Sequence, residues 1–211
     1  MAIVDPEPIS NRLIDRIKRI LYTPEAEWDR LEDEPATIKG LFTGYACILA
    51  AIGPAARFIG SQLFGEHHLW MVTHPSLIGS LVGAIVGYFL ALAGIFVLAV
   101  VIDELAPQFG GQKSRIQAFK LAIYAWTAAW IAGIFQVVPQ VSGLSIIGIY
   151  SLYLLYLGVP RLMKAPADKA LIYAIVSVVV AVLVWVVISV VSMSAAGVWG
   201  AAAVTSAATP V

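Results

Sequence analysis

Residues 79–111 read GSLVGAIVGYFLALAGIFVLAVVIDELAPQFGG, and this stretch decides the fold. Its apolar part belongs to a run without any charge from Leu77 to Ile102. That run exceeds the ~20 apolar residues needed to cross the hydrocarbon core of a bilayer, so it predicts a tilted or projecting transmembrane helix. Two carboxylates, Asp103 and Glu104, then mark the exit from the membrane, and a turn follows at Pro107.

The composition indicates a membrane protein throughout. The chain is 60% hydrophobic and 12% charged, with a mean hydropathy of +0.88, whereas soluble domains carry about 25% charged residues. The formal net charge of zero gives no basic surface for nucleic acid. Because Cys47 is the single cysteine, an intrachain disulfide and a cysteine-based zinc site are excluded, and we expect no cofactor.

Further apolar runs predict more spans on both sides of the central one. The fold class is therefore all-α: a polytopic integral membrane protein with five transmembrane helices plus one or more N-terminal amphipathic helices. The predicted spans are about 41–63, 77–102, 118–138, 144–159 and 170–192. The predicted organisation is a cytoplasmic region 1–40, a membrane domain 41–193 and an extracytoplasmic alanine-rich tail 194–211.

The N-terminal region alternates between basic and acidic helices. From Ile9 to Tyr22, apolar residues recur at helical spacing among basic ones, which predicts a helix that lies in the membrane interface or docks on the protein itself. Thr23-Pro24 starts a second helix that carries an acidic run. We expect that run to be a solvated face, and Pro35 to end the helix.

Lysine and arginine are distributed unequally between the two sides of the predicted spans. They occur before the first span, between the second and third, and between the fourth and fifth, and they are missing from the other loops. Loops rich in lysine and arginine stay on the cytoplasmic side of a membrane. The pattern therefore predicts a cytoplasmic N-terminus and an extracytoplasmic C-terminus in a plasma membrane.

Two helix faces are made of small residues, which allow close contact between backbones. We predict helix packing at these positions, either between copies of the chain or within it: Gly79, Gly83, Gly87, Ala91, Ala125, Ala129 and Gly133. The two faces are plausible partners for each other. Leucine at Gly83 is then expected to separate the helices and destabilise the protein.

Arg57 is a charge inside the first predicted span, after the kink expected at Gly53-Pro54. It is either a functional residue or an arginine that extends to the lipid headgroups. In the following loop, Glu66, His67, His68 and His74 are potential metal ligands. Their spacing matches no structural zinc site, so we expect no bound metal.

Basic and acidic residues of two loops come together by topology on the cytoplasmic side. We predict a docking surface for a partner or anionic lipid there, in which Asp103 pairs with a basic residue. Its residues are Asp103, Glu104, Pro107, Gly110, Gly111, Lys113, Arg115, Arg161, Lys164 and Lys169.

Three segments resemble the YIP family, the Ypt/Rab-interacting membrane proteins, and specifically its bacterial branch. They read TPEAEWDRLEDEPAT, DELAPQFGGQKSRIQAFKLAIYAWTAAW and YLLYLGVPRLMKAPADKA, and the resemblance covers most of the chain. It implies five spans with a cytoplasmic N-terminus. Thr127-Ala128 stands where the family has Thr-Pro, which implies a weaker kink in the third span. Eukaryotic relatives bind small GTPases and act in vesicle traffic, but for the bacterial branch the resemblance supplies a fold and no reaction.

Three function classes follow from these patterns. A non-enzymatic scaffold, adaptor or accessory subunit fits best, because no nucleophile triad, metalloprotease motif, phosphate-binding loop or dinucleotide fingerprint is present. Its partners are the lipid bilayer and other membrane proteins, in a hetero-complex or a homo-oligomer. The alternatives are a small-molecule or ion transporter that uses Arg57, and a membrane enzyme that uses Asp103, Glu104 and Lys113.

Overall fold

A computed structural model describes residues 9–68, 71–73, 76–183 and 186. The chain is predominantly helical, with π-helical residues at Phe42–Ala46 and 3₁₀ segments at Ala106–Phe109, Gly133–Val137 and Pro139–Ile149. The α-helices are α1 (Ile9–Tyr22), α2 (Pro24–Asp33), α3 (Ile38–Leu41), α4 (Cys47–Ala50), α5 (Ile52–Phe64), α6 (Leu77–Leu105), α7 (Arg115–Ala125), α8 (Thr127–Ala132), α9 (Tyr150–Leu162) and α10 (167–183).

Four helical segments of the described residues are long and apolar enough to cross a membrane. They are Ile38–Phe64, Leu77–Phe109, Arg115–Val137 and Gly143–Leu162, and they coincide with the first four predicted spans. The structure describes only part of the fifth predicted span, as α10 and Val186. The remainder of that span and the predicted tail 194–211 lie outside the described residues.

Two spans are interrupted where the sequence disfavours a continuous helix. The first changes to π-helical geometry at Phe42–Ala46 and breaks at Ala51, next to Gly53-Pro54. This break is expected because proline removes a backbone hydrogen bond and clashes with the preceding turn. The third span breaks at Trp126, between α7 and α8, although no proline follows Thr127.

The loop between the first two spans is not fully irregular. It contains a short antiparallel pair of strands, β1 (Glu66–His68) and β2 (Met71–Thr73), with His67 opposite Val72. The structure describes the backbone of these two strands, whereas His74 lies outside the described residues. Elsewhere in the described part of the chain, no group of three or more potential ligands is arranged to hold a metal ion.

The third span is the centre of the bundle. All side chains from Ala118 to Ala125 are buried in it, whereas α6 and α10 expose rows of large apolar side chains, as expected for helices that face lipid. Buried apolar residues of α1 and α2, namely Ile20, Trp28 and Leu31, belong to the same core. The N-terminal region is therefore packed against the membrane-spanning helices.

Candidate interaction surface at the basic end of the helix bundle

Helices α1 and α2 and the segments 106–114 and 163–166 lie at one end of the bundle, which we call the basic end. Trp28 of α2 anchors this assembly and is 1% exposed. Its ring lies against Gly158 of α9, where an added Cβ would come within 2.9 Å of Trp28 and 2.4 Å of Leu121. A side chain at this position would force Leu121 and the indole to shift, so Gly158 allows α2 to pack closely along α9.

Lys120 fastens the end of α2 to the third span. It is 2% exposed, and its Nζ donates hydrogen bonds to the carbonyl oxygens of Leu31 and Glu34, each at 2.6 Å. The carbonyl oxygen of Glu32 is a longer third acceptor at 3.4 Å. These carbonyls lack partners inside the helix, and a cation at a helix C-terminus is also favoured by the helix dipole. Lys120 is thus a buried charge that caps a helix from another part of the chain.

A second buried charge, Glu27, holds α1 against α2. Its carboxylate is 2.8 Å from Arg19 Nε and 3.4 Å from Arg16 Nη1. Arg16 also donates from Nη2 to Glu34 Oε1 at 2.7 Å, and this hydrogen bond holds the pKa of Glu34 below its usual range. Glu34 therefore stays charged, and paired, to a lower pH than an ordinary glutamate. The pair between Arg16 and Glu34 is lost only when the pH falls through the lowered pKa of Glu34.

The acidic run of α2 is exposed at Glu25, Asp29 and Asp33, as predicted for a solvated face, but several of its carboxylates form ion pairs and Glu27 is buried. Asp29 Oδ1 accepts a hydrogen bond from Arg161 Nε at 2.6 Å, and Glu25 lies 3.8 Å from the same guanidinium. Glu32 pairs with the ammonium of Lys164. The topology places Arg161 and Lys164, at the C-terminal end of α9, beside α2, and sequence spacing does not show this. Each exposed pair contributes only about 0–1 kcal/mol, but together they fix the register between the two helices.

The two loops of the basic end are joined through their backbones. Gln112 N donates to Met163 O at 2.7 Å, and a Cβ at Gly111 would lie 2.8 Å from the same oxygen. Gly110 has a φ of +76°, a left-handed conformation that glycine adopts without steric cost. Lys164 also has a positive φ, 53°, which costs a non-glycine residue ~1–2 kcal/mol. The 106–114 and 163–166 segments therefore form one connected surface.

Asp103 lies beneath this surface, and it is only 2% exposed. Its Oδ2 is 3.6 Å from Nε of Arg115, and its Oδ1 has no hydrogen-bond partner. Glu104 faces outward and accepts a hydrogen bond from Lys113 at 2.6 Å. The two adjacent carboxylates thus have different roles, because Asp103 supports the loop from inside and Glu104 contributes to the exposed face.

The loops of this surface expose four cations beside the exposed carboxylates of Glu104 and Asp168. The side chains of Lys113, Arg115 and Lys164 are 49%, 53% and 44% exposed, and Lys169 is also exposed. Arg161 is more enclosed, since it is covered by α2. The residues predicted for docking are therefore brought together, but Asp103 and Arg161 are internal. This arrangement is suited to binding an acidic protein surface or anionic headgroups.

The small-residue faces make contacts that differ from one another. Gly133 approaches Gly53 of the first span, where an added Cβ would be 2.9 Å from the Cα of Gly53, and Gly148 of the fourth span lies against Ala129. Along α6, by contrast, no described atom lies within 4 Å of a Cβ placed at Gly83 or Gly87. The predicted close contact along the α6 glycines is not made by any described residue.

Instead, the α6 glycines line a cavity of ≈540 Å³ between the first three spans. Arg57, Ser61, Ser80 and Gln136 supply its polar lining, and Trp126 and Trp130 line its apolar part. This cavity extends toward the end of the bundle opposite the basic end.

Sequence reasoning missed three residues that hold the basic end together: Trp28 as a core residue, Gly158 as its contact, and Lys120 as a buried cap. Only Lys120 carries a usable signal, because it falls inside the third predicted span, where a charge is costly unless it is paired. Trp28 is one of six tryptophans and Gly158 is one of 17 glycines, and neither has a sequence signal that distinguishes it.

Residues 18–188 match the family described as the Yip1 domain. The chain is 26% identical over 170 residues to the inner membrane protein YohC of Escherichia coli strain K12, an alignment that covers 76% of this chain and 85% of that protein. YohC of E. coli O6:H1 strain CFT073 matches to the same extent. No solved structure matches the chain significantly.

Proposed function

This chain belongs to the Yip1 family, and from that membership we propose that it is a non-enzymatic membrane scaffold or adaptor of the YIP type. We propose that it serves as an accessory subunit of a larger membrane complex or as a membrane-organising protein. Its similarity to an inner membrane protein of E. coli supports a location as a multi-pass protein of a bacterial inner membrane. The resemblance to the YIP family noted from the sequence is thus confirmed.

One observation supports the scaffold proposal above all others: three distant parts of the chain form one surface at the basic end. Lys120 ties α2 to the third span, Arg161 ties it to α9, and Gln112 joins the two loops. Contacts between these segments hold the surface in one conformation. Little conformational entropy of this chain is therefore lost when a partner binds. Such preorganisation is what an adaptor needs.

Co-purification from membranes in a mild detergent tests this proposal. We expect a stoichiometric protein partner with the wild type, and about tenfold less of it with the double variant Lys113→Glu, Lys169→Glu, because two exposed cations would then repel an acidic partner. The double variant Lys113→Arg, Lys169→Arg, which changes the same two residues but keeps both charges, is the matched control. A single monodisperse protein without partner, or equal recovery with the Lys113→Glu, Lys169→Glu variant, would contradict the proposal.

Orientation is proposed from the charge distribution, with the basic end in the cytoplasm and the C-terminus outside. A reporter inserted near Gln112 is expected to report the cytoplasm, and one fused after Val211 the extracytoplasmic side. These two sites differ only if an odd number of spans separates them. The measurement is the ratio of an enzyme reporter active only in the periplasm to one active only in the cytoplasm. Both sites on the same side would exclude the five-span topology.

A small-molecule or ion transporter is the second candidate, and the cavity beside Arg57 is the observation that favours it. A transporter must expose its site to both sides in turn. Substrate flux into vesicles that contain the purified protein would support this candidate.

A further inference from the structure

Two of the spans are barely longer than the hydrocarbon core of a bilayer. The fourth, Gly143–Leu162, has 20 residues in 3₁₀ and α conformation and is about 32 Å long. The third, Arg115–Val137, has 23 residues and is about 35 Å long. Because a core of average thickness measures ~30 Å, these helices have little length to spare. In such a bilayer, the hydrocarbon boundary at the basic end would lie close to Arg115 and Leu162.

The turn between α1 and α2 lies far inside that boundary. The hydroxyl of Tyr150 donates a hydrogen bond at 3.1 Å to the carbonyl oxygen of Leu21, the penultimate residue of α1. Tyr150 precedes Leu162 by twelve residues, which is about 18 Å along α9. Glu32, near the other end of α2, pairs with Lys164, so α2 runs along α9 from that depth to the basic end. The N-terminal hairpin formed by α1 and α2 therefore reaches the middle of the core.

The outer face of the N-terminal hairpin carries exposed charges. The side chains of Glu25 and Asp29 are 66% and 65% exposed, and Asp15, Lys18 and Arg30 are exposed as well. Charged side chains are costly in hydrocarbon, and at membrane depth they face water or a polar partner. Lipid chains therefore do not cover this face, although the lengths of the third and fourth spans place it at the depth of the hydrocarbon.

Helix α6 meets the bilayer differently at the same depth. Its Phe89 is 62% exposed and belongs to a segment without any charge. Leu90, the next residue, lines a small cavity together with Trp130 of the third span. The backbone N–H of Ala129, the residue before Trp130, donates a hydrogen bond at 2.9 Å to Ser151 Oγ, which is level with the hairpin turn. Phe89 is thus a lipid-facing residue at nearly the depth of that turn.

We propose that this protein thins the bilayer on one side: the leaflet at the basic end recedes around the N-terminal hairpin and keeps its full depth along α6. The outer face of the hairpin then contacts lipid headgroups and water. Tyr22, which is 82% exposed, and Tyr153, which lies beside Tyr150, place aromatic rings at the hairpin turn. Such rings are typical of a membrane–water interface. The proposal concerns the lipid boundary alone and does not depend on the binding of a protein partner.

Spin labels at two exposed aromatic positions of the full-length protein test the proposal. The labels are attached through Tyr22→Cys or Phe89→Cys in a Cys47→Ala background, and the protein is reconstituted in bilayers of dioleoyl phosphatidylcholine. Electron paramagnetic resonance then compares the accessibility of each label to a water-soluble nickel chelate and to oxygen, which concentrates in hydrocarbon. We expect the nickel-to-oxygen ratio to be at least about tenfold higher at Tyr22 than at Phe89, because the bilayer core contains no water.

Two results of this comparison would overturn the proposal. Equally low nickel accessibility of both labels would place the hairpin turn in hydrocarbon of ordinary thickness. Equally high nickel accessibility of both labels would show that this half of the bundle projects from the membrane as a whole, without thinning on one side.

Removal of two charges near the hairpin turn tests what causes the thinning. The double variant Lys18→Leu, Glu25→Leu is expected to lower the nickel accessibility of the Tyr22 label at least about threefold, because hydrocarbon then covers more of this face. The matched control is Lys18→Arg, Glu25→Asp, which keeps both charges and is expected to leave the accessibility unchanged. Unchanged accessibility in the leucine variant would overturn the assignment of the thinning to these charges.

Discussion

Lys120→Met is expected to release α2 from the helix bundle and to lower the free energy of unfolding by about 3 kcal/mol. Methionine preserves the length and apolar stem of lysine, but it leaves the carbonyls of Leu31 and Glu34 buried without a donor. An unpaired buried acceptor costs about 1–3 kcal/mol. The variant no longer has to bury the ammonium group of Lys120, and this gain offsets part of the cost of the unpaired carbonyls. The measurement is chemical or thermal unfolding of the purified protein in detergent.

The control for Lys120 is Lys39→Met, because Lys39 lies in the first turn of the first span and is exposed. Its loss removes a charge without removing a buried contact, so its stability should stay within about 0.5 kcal/mol of the wild type. Limited proteolysis gives a second readout, since release of α2 would expose the connection between α2 and α3 to cleavage. If Lys120→Met matches the control in both assays, Lys120 does not hold α2.

Trp28→Ala is the second substitution with a large expected effect, about 3–5 kcal/mol in the free energy of unfolding. The indole fills the space above Gly158, and no other side chain of α2 is large enough to replace it. The loss combines transfer of apolar area with the cavity that remains. Unfolding in detergent measures this effect, and loss of the buried indole should also shift the tryptophan fluorescence.

Tyr22→Ala is the matched control for Trp28, because Tyr22 is an aromatic residue of the same N-terminal region that is 82% exposed. We expect its effect on stability to be within about 0.5 kcal/mol. Equal stability of Trp28→Ala and Tyr22→Ala would show that α2 does not depend on its aromatic anchor. It would also remove the basis for a preorganised surface at the basic end.

Several parts of the basic end were accessible from sequence. The loop residues from Asp103 to Arg115 follow a long apolar run, and the connectivity of membrane spans brings them to the same side as Arg161 and Lys164. The unequal distribution of arginine and lysine between the loops identified this end, because these residues are costly inside the membrane and collect in the loops of one side. Topology alone therefore placed the two loops near each other.

The partners of individual charges were not accessible in the same way. Asp29 and Arg161 are separated by 132 positions, and Leu31 and Lys120 by 89. An acidic run beside a proline is most often solvated, and the local pattern carries no trace of a cation that arrives from a distant helix. The same limit applied to Gly83 and Gly87, since a small-residue face predicts close approach but does not identify the neighbour.

Residue order and composition were sufficient to predict a helical multi-pass membrane protein, the positions of its first four spans and the end at which its positive charge collects. The hydrocarbon core imposes this, because it demands about 20 apolar residues per span and excludes unpaired charge. Three features became visible only in the folded chain: Lys120 caps α2, Trp28 packs on Gly158, and the α6 glycines line a cavity. These features depend on which helix faces meet, and that is set by side-chain packing between residues far apart in the chain.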